Sequence, residues 1–165
     1  MKLEQLLEGL KYRCEAGNTE REVAAVINDS RKLCKDCLFL CIAGANFDGH
    51  SKAMEAVEKG AAVLVVSREL PREVLESGIT VIRVEDTRYA MAFISAAWFG
   101  HPARKLTTIG ITGTKGKTTT TYLVKSILEH AGHKVGLVGT IEAVIGDKHI
   151  PAHNTTPASY MLPDS

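Results

Sequence analysis

The chain has 165 residues and a mass of 17.9 kDa. At roughly 100–200 residues per domain, that leaves room for one domain or two. Hydrophobic residues make up 45% and charged residues 24%, a globular composition that excludes disorder for most of the chain. Lys plus Arg number 20 against 19 Asp plus Glu, a net charge of +1, which argues against broad electrostatic binding of nucleic acid or an anionic membrane.

The longest uncharged stretch, Tyr89 to Ala103, contains His101 and Pro102. It falls short of the roughly 20 apolar residues that span a bilayer. Glu4 and Glu8 interrupt the N-terminus where a signal peptide needs an apolar run. The expected location is the cytosol.

Leu3, Leu6, Leu7 and Leu10 have helical spacing. Val23 to Ile27 reads as a short strand that ends at the polar turn Asn28-Asp29-Ser30-Arg31. Leu38 to Ile42 reads as a second strand. Ser51 is placed to cap a helix over Lys52 to Lys59, and Gly60 to stop it. Ala61 to Val66 is a continuous apolar run, as in buried parallel strands. Glu69 to Glu76 predicts a short helix with Pro71 in its first turn, and Ile79 to Val84 another strand. Asp86 or Thr87 caps a long helix over Arg88 to Phe99. Strands alternating with helices predict an α/β domain over residues 1–101.

Cysteines 34, 37 and 41 form C-x2-C-x3-C, while Cys14 stands apart. Three thiolates admit a zinc or cluster reading, provided a fourth ligand comes from elsewhere. The preferred reading is small buried thiols, with Cys37 and Cys41 on one face of a strand. Disulfides are not expected in a reducing compartment.

Pro102 breaks the pattern, and residues 102–106 read as a linker. The pattern restarts with a strand at Thr107–Ile111, a glycine-rich turn, and a helix from Lys117 to about Ala131. Leu123, Val124, Ile127, Leu128 and Ala131 would share one face of that helix. Lys134 to Gly139 is expected as the next strand, parallel to the first.

Residues 110–119 read Gly-Ile-Thr-Gly-Thr-Lys-Gly-Lys-Thr-Thr. Gly116-Lys117-Thr118 satisfies the end of the pattern G-x-x-x-x-G-K-[ST], but position 111 is Ile where its first glycine belongs. The chemistry still suits phosphate. Glycines allow backbone N–H groups to turn toward an anion, and a helix start adds its positive end. Lys117 supplies a point charge for the β- and γ-phosphates, and the Thr118 hydroxyl a ligand for Mg²⁺. Lys115 reads equally as a solvated charge or a ligand contact. A bland glycine turn with incidental lysines is the competing reading.

The run Thr112-Gly113-Thr114-Lys115-Gly116-Lys117-Thr118-Thr119 resembles the phosphate loop of the Mur ligases, usually T-G-T-N-G-K-T-T, with Lys115 in place of the common Asn. Asp29-Ser30-Arg31, Leu38-Phe39 with Gly44, Asp48-Gly49-His50 and Asn154-Thr155-Thr156-Pro157 resemble motifs of the MurE-like branch, in the same order. The resemblance implies an N-terminal α/β domain that binds a UDP-precursor (1–101). It also implies the first βαβ part of a P-loop central domain (107–165).

It further implies a cytoplasmic, ATP- and Mg²⁺-dependent ligase of peptidoglycan synthesis, and a monomer. Such an enzyme adds meso-diaminopimelate or lysine to UDP-N-acetylmuramoyl-L-alanyl-D-glutamate. The substrate carboxylate becomes an acyl phosphate, and the incoming amine displaces phosphate. Gly113, Thr114, Lys115, Gly116, Lys117, Thr118 and Thr119 would hold ATP, with Lys117 catalytic and Thr118 on the metal. Asn28 and Ser30 would contact the UDP part, with Ala45-Asn46-Phe47 in a uridine-contacting position. Asn154, Thr155 and Thr156 would contact the muramoyl-peptide part. His50 and His153 qualify as general bases on spacing alone, but the family chemistry needs neither.

Family members run to several hundred residues in three domains, so the chain is expected to be the front of such an enzyme and inactive alone. Two alternatives stand beside this: a non-catalytic binding fragment, and a P-loop kinase or small NTPase. The latter needs a second acid for Mg²⁺, and Glu142 and Asp147 are the nearby acids. Residues 1–101 are expected to fold alone, with 104–165 exposed. Limited proteolysis should then clear 104–165 first, and equal protection of both segments would count against it.

Overall fold

Apolar runs too short for helices pair into a parallel sheet in the first of two compact units, Met1–Lys105 and Leu106–Ser165. The computed structural model describes residues 1–44 and 48–151. The strands of the first unit are β1 (Arg13–Ala16), β2 (Ala25–Ile27), β3 (Cys37–Leu40), β4 (Val63–Val66) and β5 (Thr80–Arg83). Their order across the sheet is β1-β5-β4-β3-β2. The pairs β2–β3, β3–β4 and β4–β5 are parallel, and β1 runs antiparallel to β5.

Every residue of β3 and β4 is buried. A strand covered on both faces has no use for alternation, which is why these runs are continuously apolar. Cys37, Phe39, Cys41, Leu64, Val66 and Val81 pack on Ala53, Ala56 and Val74, from helices α2 (Ala53–Glu58) and α3 (Arg72–Leu75). Leu38, Leu40, Val63, Val65 and Ile82 point the other way and are equally buried. On that side α4 (Thr87–Trp98) packs against α1 (Leu3–Leu6) and β2. Cys37 and Cys41 thus occupy one face of the core, and burial pushes the Cys41 thiol up to about 12. Cys14 and Cys34 are exposed.

Local signals set the helix starts, with some shifts from expectation. Asp86 caps α4, its Oδ1 accepting from the backbone N–H of Arg88 (2.7 Å) and Tyr89 (3.3 Å). The expected cap at Ser51 is replaced by Asp48. Asp48 accepts from His50 N–H and starts a 3-10 turn, Gly49–Lys52, that leads into α2. The Ser51 hydroxyl instead donates back to Asp48 O (2.7 Å). β1 carries no apolar periodicity (Arg13-Cys14-Glu15-Ala16). It exists because β5 needs an edge partner.

The second unit holds α5 (Lys117–His130) and a three-stranded antiparallel sheet, β6 (Gly136–Val138), β7 (Glu142–Ile145) and β8 (Lys148–Pro151). Two expectations fail here. Among the described residues Thr107–Ile111 pairs with no strand, and β6 pairs antiparallel with β7. The reason is local. Gly146, at φ +57°, and Asp147 close a two-residue hairpin that brings β7 and β8 together. No residue of α5 is buried, and its apolar positions Leu123 and Ile127 are 59% and 67% exposed.

Two half-buried carboxyls set an acid limit. The Arg31 side chain bonds to Asp29 and holds it at about 2. Bonds from Lys52 and Lys59 hold Glu55 at about 2. Both values lie below the ordinary ones of 3.8 and 4.5. A lowered folded-state pKa stabilises the fold above the unfolded value and is lost on acidification. The urea midpoint of the first unit, followed by circular dichroism, should fall between pH 4.5 and about 2. Added salt should flatten that fall, because both groups are solvent-screened.

Candidate functional site

The phosphate loop lies in the second unit, at the start of α5. Gly116 is the N-cap, in the left-handed region (φ +78°), and Gly113 has φ +152°. Both conformations favour glycine. A Cβ at Gly116 would meet nothing within 4 Å, so the space beside the helix start is open. No side chain caps α5. Its first N–H groups therefore face outward with the positive end of the helix dipole.

Lys117 Nζ turns back over the loop and donates to Gly113 O at 2.7 Å. Thr118 is half-buried, and its hydroxyl makes no hydrogen bond among the described residues. Thr120 and Thr121 donate their hydroxyls to Gly116 O (2.9 Å) and Thr118 O (2.6 Å). These bonds tie the first turn together without using its outward N–H groups. Thr114, Lys115 and Thr119 are exposed along the same loop and helix start. Gly113 to Thr119 thus form one continuous turn and helix start, with Lys117 folded back over it.

Glu142, one of the two nearby acids, is already engaged. Tyr122 donates to it at 2.5 Å, and His149 Nδ1 lies at 2.7 Å. These bonds lower its pKa and raise that of Tyr122. Asp147 sits exposed in the β7–β8 turn. Glu142 opens β7 and is paired, and Asp147 lies in the turn beyond that strand, so neither ends a buried strand as the second acid of a P-loop kinase does.

In the first unit, the loops after β2, β3, β4 and β5 leave the carboxyl edge of the parallel sheet, where open α/β sheets place ligands. Asn28 follows β2, and among the described residues its side-chain amide donates only to Met91 Sδ (3.6 Å). Ser30 opens a 3-10 turn capped by Asp29. It is half-exposed, and its hydroxyl has no partner among the described residues. Asn28 and Ser30 thus share one strand end with spare polar capacity. Ala45-Asn46-Phe47, His153, Asn154, Thr155 and Thr156 lie outside the described residues.

Sequence reasoning missed a network on this same edge. Gly49 N donates to Ile42 O (2.9 Å), and Ala43 bridges to Asp48. Asp48 binds His50 and Arg68, and its pKa is lowered chiefly by the His50 side-chain bond. Arg88 donates to Ala43 O at 3.3 Å. Arg68 and Arg88 carry no motif of their own. Their only legible signal is their position just past a strand end.

Two family models match the chain. The catalytic-domain model of the Mur ligase family covers residues 22–99, and the Mur ligase middle-domain model covers residues 111–165. The chain is 46% identical over 162 residues to a UDP-N-acetylmuramoyl-L-alanyl-D-glutamate–2,6-diaminopimelate ligase of Clostridium perfringens, covering 98% of this chain and 33% of that protein. It is 47% identical to ligase 1 of the same name from Clostridium acetobutylicum, with the same coverage. Among solved structures it resembles MurF from Acinetobacter baumannii, with a TM-score of 0.57 and 28% identity over 85% of this chain and 28% of that one. The chain belongs to the Mur ligase family. It spans about a third of the length of the curated relatives it matches.

Gly49 offers a direct check on the edge. A Cβ there would lie 2.8 Å from Ile42 N and 3.0 Å from Ile42 O, both backbone atoms. Gly49→Ala should therefore destabilise the first unit by about 1–3 kcal/mol. Chemical denaturation should show this as a lower midpoint with an unchanged slope.

Proposed function

We propose that the chain carries the UDP-precursor-binding part and the phosphate-loop part of an ATP-dependent amide ligase. Its substrates would be UDP-N-acetylmuramoyl-L-alanyl-D-glutamate and a diamino acid. The names of the relatives at 46% and 47% identity favour diaminopimelate as that amino acid. The observation that carries the reading is the uncapped start of α5 behind two glycines, with Lys117 held over the loop at 2.7 Å. The two units are read as residues 1–101 for the UDP-precursor and 107–165 for the nucleotide. The setting proposed is the cytoplasm, and the state a monomer. Among the described residues no helix is long and apolar enough to cross a membrane.

ATP would supply the phosphoryl group that turns an unreactive carboxylate into an electrophile. The fit to this loop is physical: outward N–H groups, open space beside Gly116, and a lysine within reach. Lys117 would leave Gly113 O and bind phosphate oxygens, where its charge offsets theirs. Thr118 would offer its free hydroxyl to Mg²⁺. The N–H groups of Gly113 to Thr119 would fix the phosphate chain in line, so that positioning rather than covalent chemistry is the protein's contribution. Asn28 and Ser30 would contact the UDP moiety. Asn154, Thr155 and Thr156 are proposed for the muramoyl peptide on the strength of the motif alone.

Calorimetry on the 165-residue chain tests the reading. Mg-ATP should bind, and Lys117→Ala should weaken it by about tenfold or more, since a charged hydrogen bond is worth about 1.5–3 kcal/mol. UDP affinity should be untouched by Lys117→Ala and reduced by Ser30→Ala. Binding of Mg-ATP unaffected by Lys117→Ala would refute the assignment of the loop.

A further inference from the structure

His50 sits between two strand ends of the first unit, with its side chain only 7% exposed. Both ring nitrogens are used. Nδ1 lies 2.6 Å from Asp48 Oδ1, and the backbone N–H of Ser67 donates to Nε2 at 3.0 Å. A backbone N–H can only donate, so Nε2 must carry the lone pair and Nδ1 the proton. The imidazole is the neutral tautomer, donating to Asp48 and accepting from Ser67.

The order Ser67–His50–Asp48 imitates a hydrolytic triad, with Ser67 Oγ 3.4 Å from Nε2. The chemistry does not follow. The single in-plane lone pair of Nε2 already receives the closer Ser67 N–H, so it is not free to take a proton from the hydroxyl.

The arrangement does something else. Asp48 closes the loop after β3, through its bridge to Ala43 and the Gly49 bond to Ile42. Ser67 is the first residue after β4. His50 therefore ties the ends of two adjacent strands. Arg68, also past β4, donates to the other oxygen of Asp48 (2.5 Å) and repeats the tie outside the core. Arg88, in the first turn of α4 beyond β5, holds Ala43 O at 3.3 Å and joins a third strand end to the same loop.

We propose that His50 is a positioning residue: it joins the ends of β3 and β4 into one rigid rim and so presets the first unit for the uridine diphosphate of the substrate. This rests on the reading that the first unit binds that moiety. A preset rim loses little conformational freedom on binding, and that saving appears as affinity.

The test compares the 165-residue chain with His50→Ala, His50→Asn and His50→Gln, using UDP as the probe. Asn keeps a donor toward Asp48 and gives up the acceptor at Ser67. Gln keeps an acceptor near Ser67 and gives up the donor. A bridge needs both ends, so all three should weaken UDP binding by about tenfold at a temperature where circular dichroism shows them folded. Hydrogen exchange at the amides of Gly49 and Ser67 should quicken in the same variants, while that of Leu64, deep in β4, should not.

Full UDP affinity in folded His50→Ala would overturn the proposal. So would full recovery by Asn or Gln alone, because one hydrogen bond would then suffice. If the unsubstituted chain does not bind UDP, the functional reading falls and the role in binding falls with it. Exchange at Gly49 and Ser67 then still decides whether His50 ties the two strand ends.

Discussion

The first unit depends on the burial of β3 and β4 from both faces. Parallel strands cannot be joined by hairpins, so each must be followed by a crossover segment. Here those segments are the 3-10 turn with α2, and α3. The crossovers cover one face of the sheet while α1 and α4 cover the other. Two consequences follow from the same constraint. The strands become continuous apolar runs, and all loops that leave β2 to β5 emerge on one edge. That edge gathers Asn28, Ser30, Asp48, His50, Ser67, Arg68 and Arg88, which are scattered over sixty positions of sequence.

The second unit achieves its site by a different route. Its phosphate loop needs no sheet edge to assemble it, because the residues are contiguous. What it needs is backbone geometry that turns N–H groups outward, and Gly113 and Gly116 supply it. A contiguous site of this kind is legible from sequence even where the surrounding sheet is not. That contrast explains the pattern of successes. The glycine turn and the helix start at Lys117 were readable from residue type and spacing alone, while Thr107–Ile111 forms no strand among the described residues and β6 runs antiparallel to β7.

The same contrast holds in the first unit. The core strands were visible because burial on both faces leaves a composition signal, as in Val63-Leu64-Val65-Val66. β1 was invisible because an edge strand is defined by its neighbour, and Arg13-Cys14-Glu15-Ala16 carries no pattern. The Asp48–His50 pair was noticed as a motif, but its partner Ser67 could not be. A backbone N–H has no residue identity to read. Asn28 and Ser30 became candidates only through resemblance, since polar residues after a strand are common. The start before α2 moved by three positions because a side chain other than the expected one captured the free N–H groups, Asp48 ahead of Ser51.

The bond between Lys117 and Gly113 O has a further consequence. On the proposed reading of the loop, the lysine would compete with a ligand for its own binding site. A ligand that offers Lys117 only a neutral carbonyl would exchange one such bond for another and gain nothing. An anion with several charged oxygens replaces it with a charge-assisted bond and also meets the N–H groups that the lysine never satisfied. On the proposed reading, discrimination against uncharged ligands would follow from this bond of 2.7 Å within the chain itself.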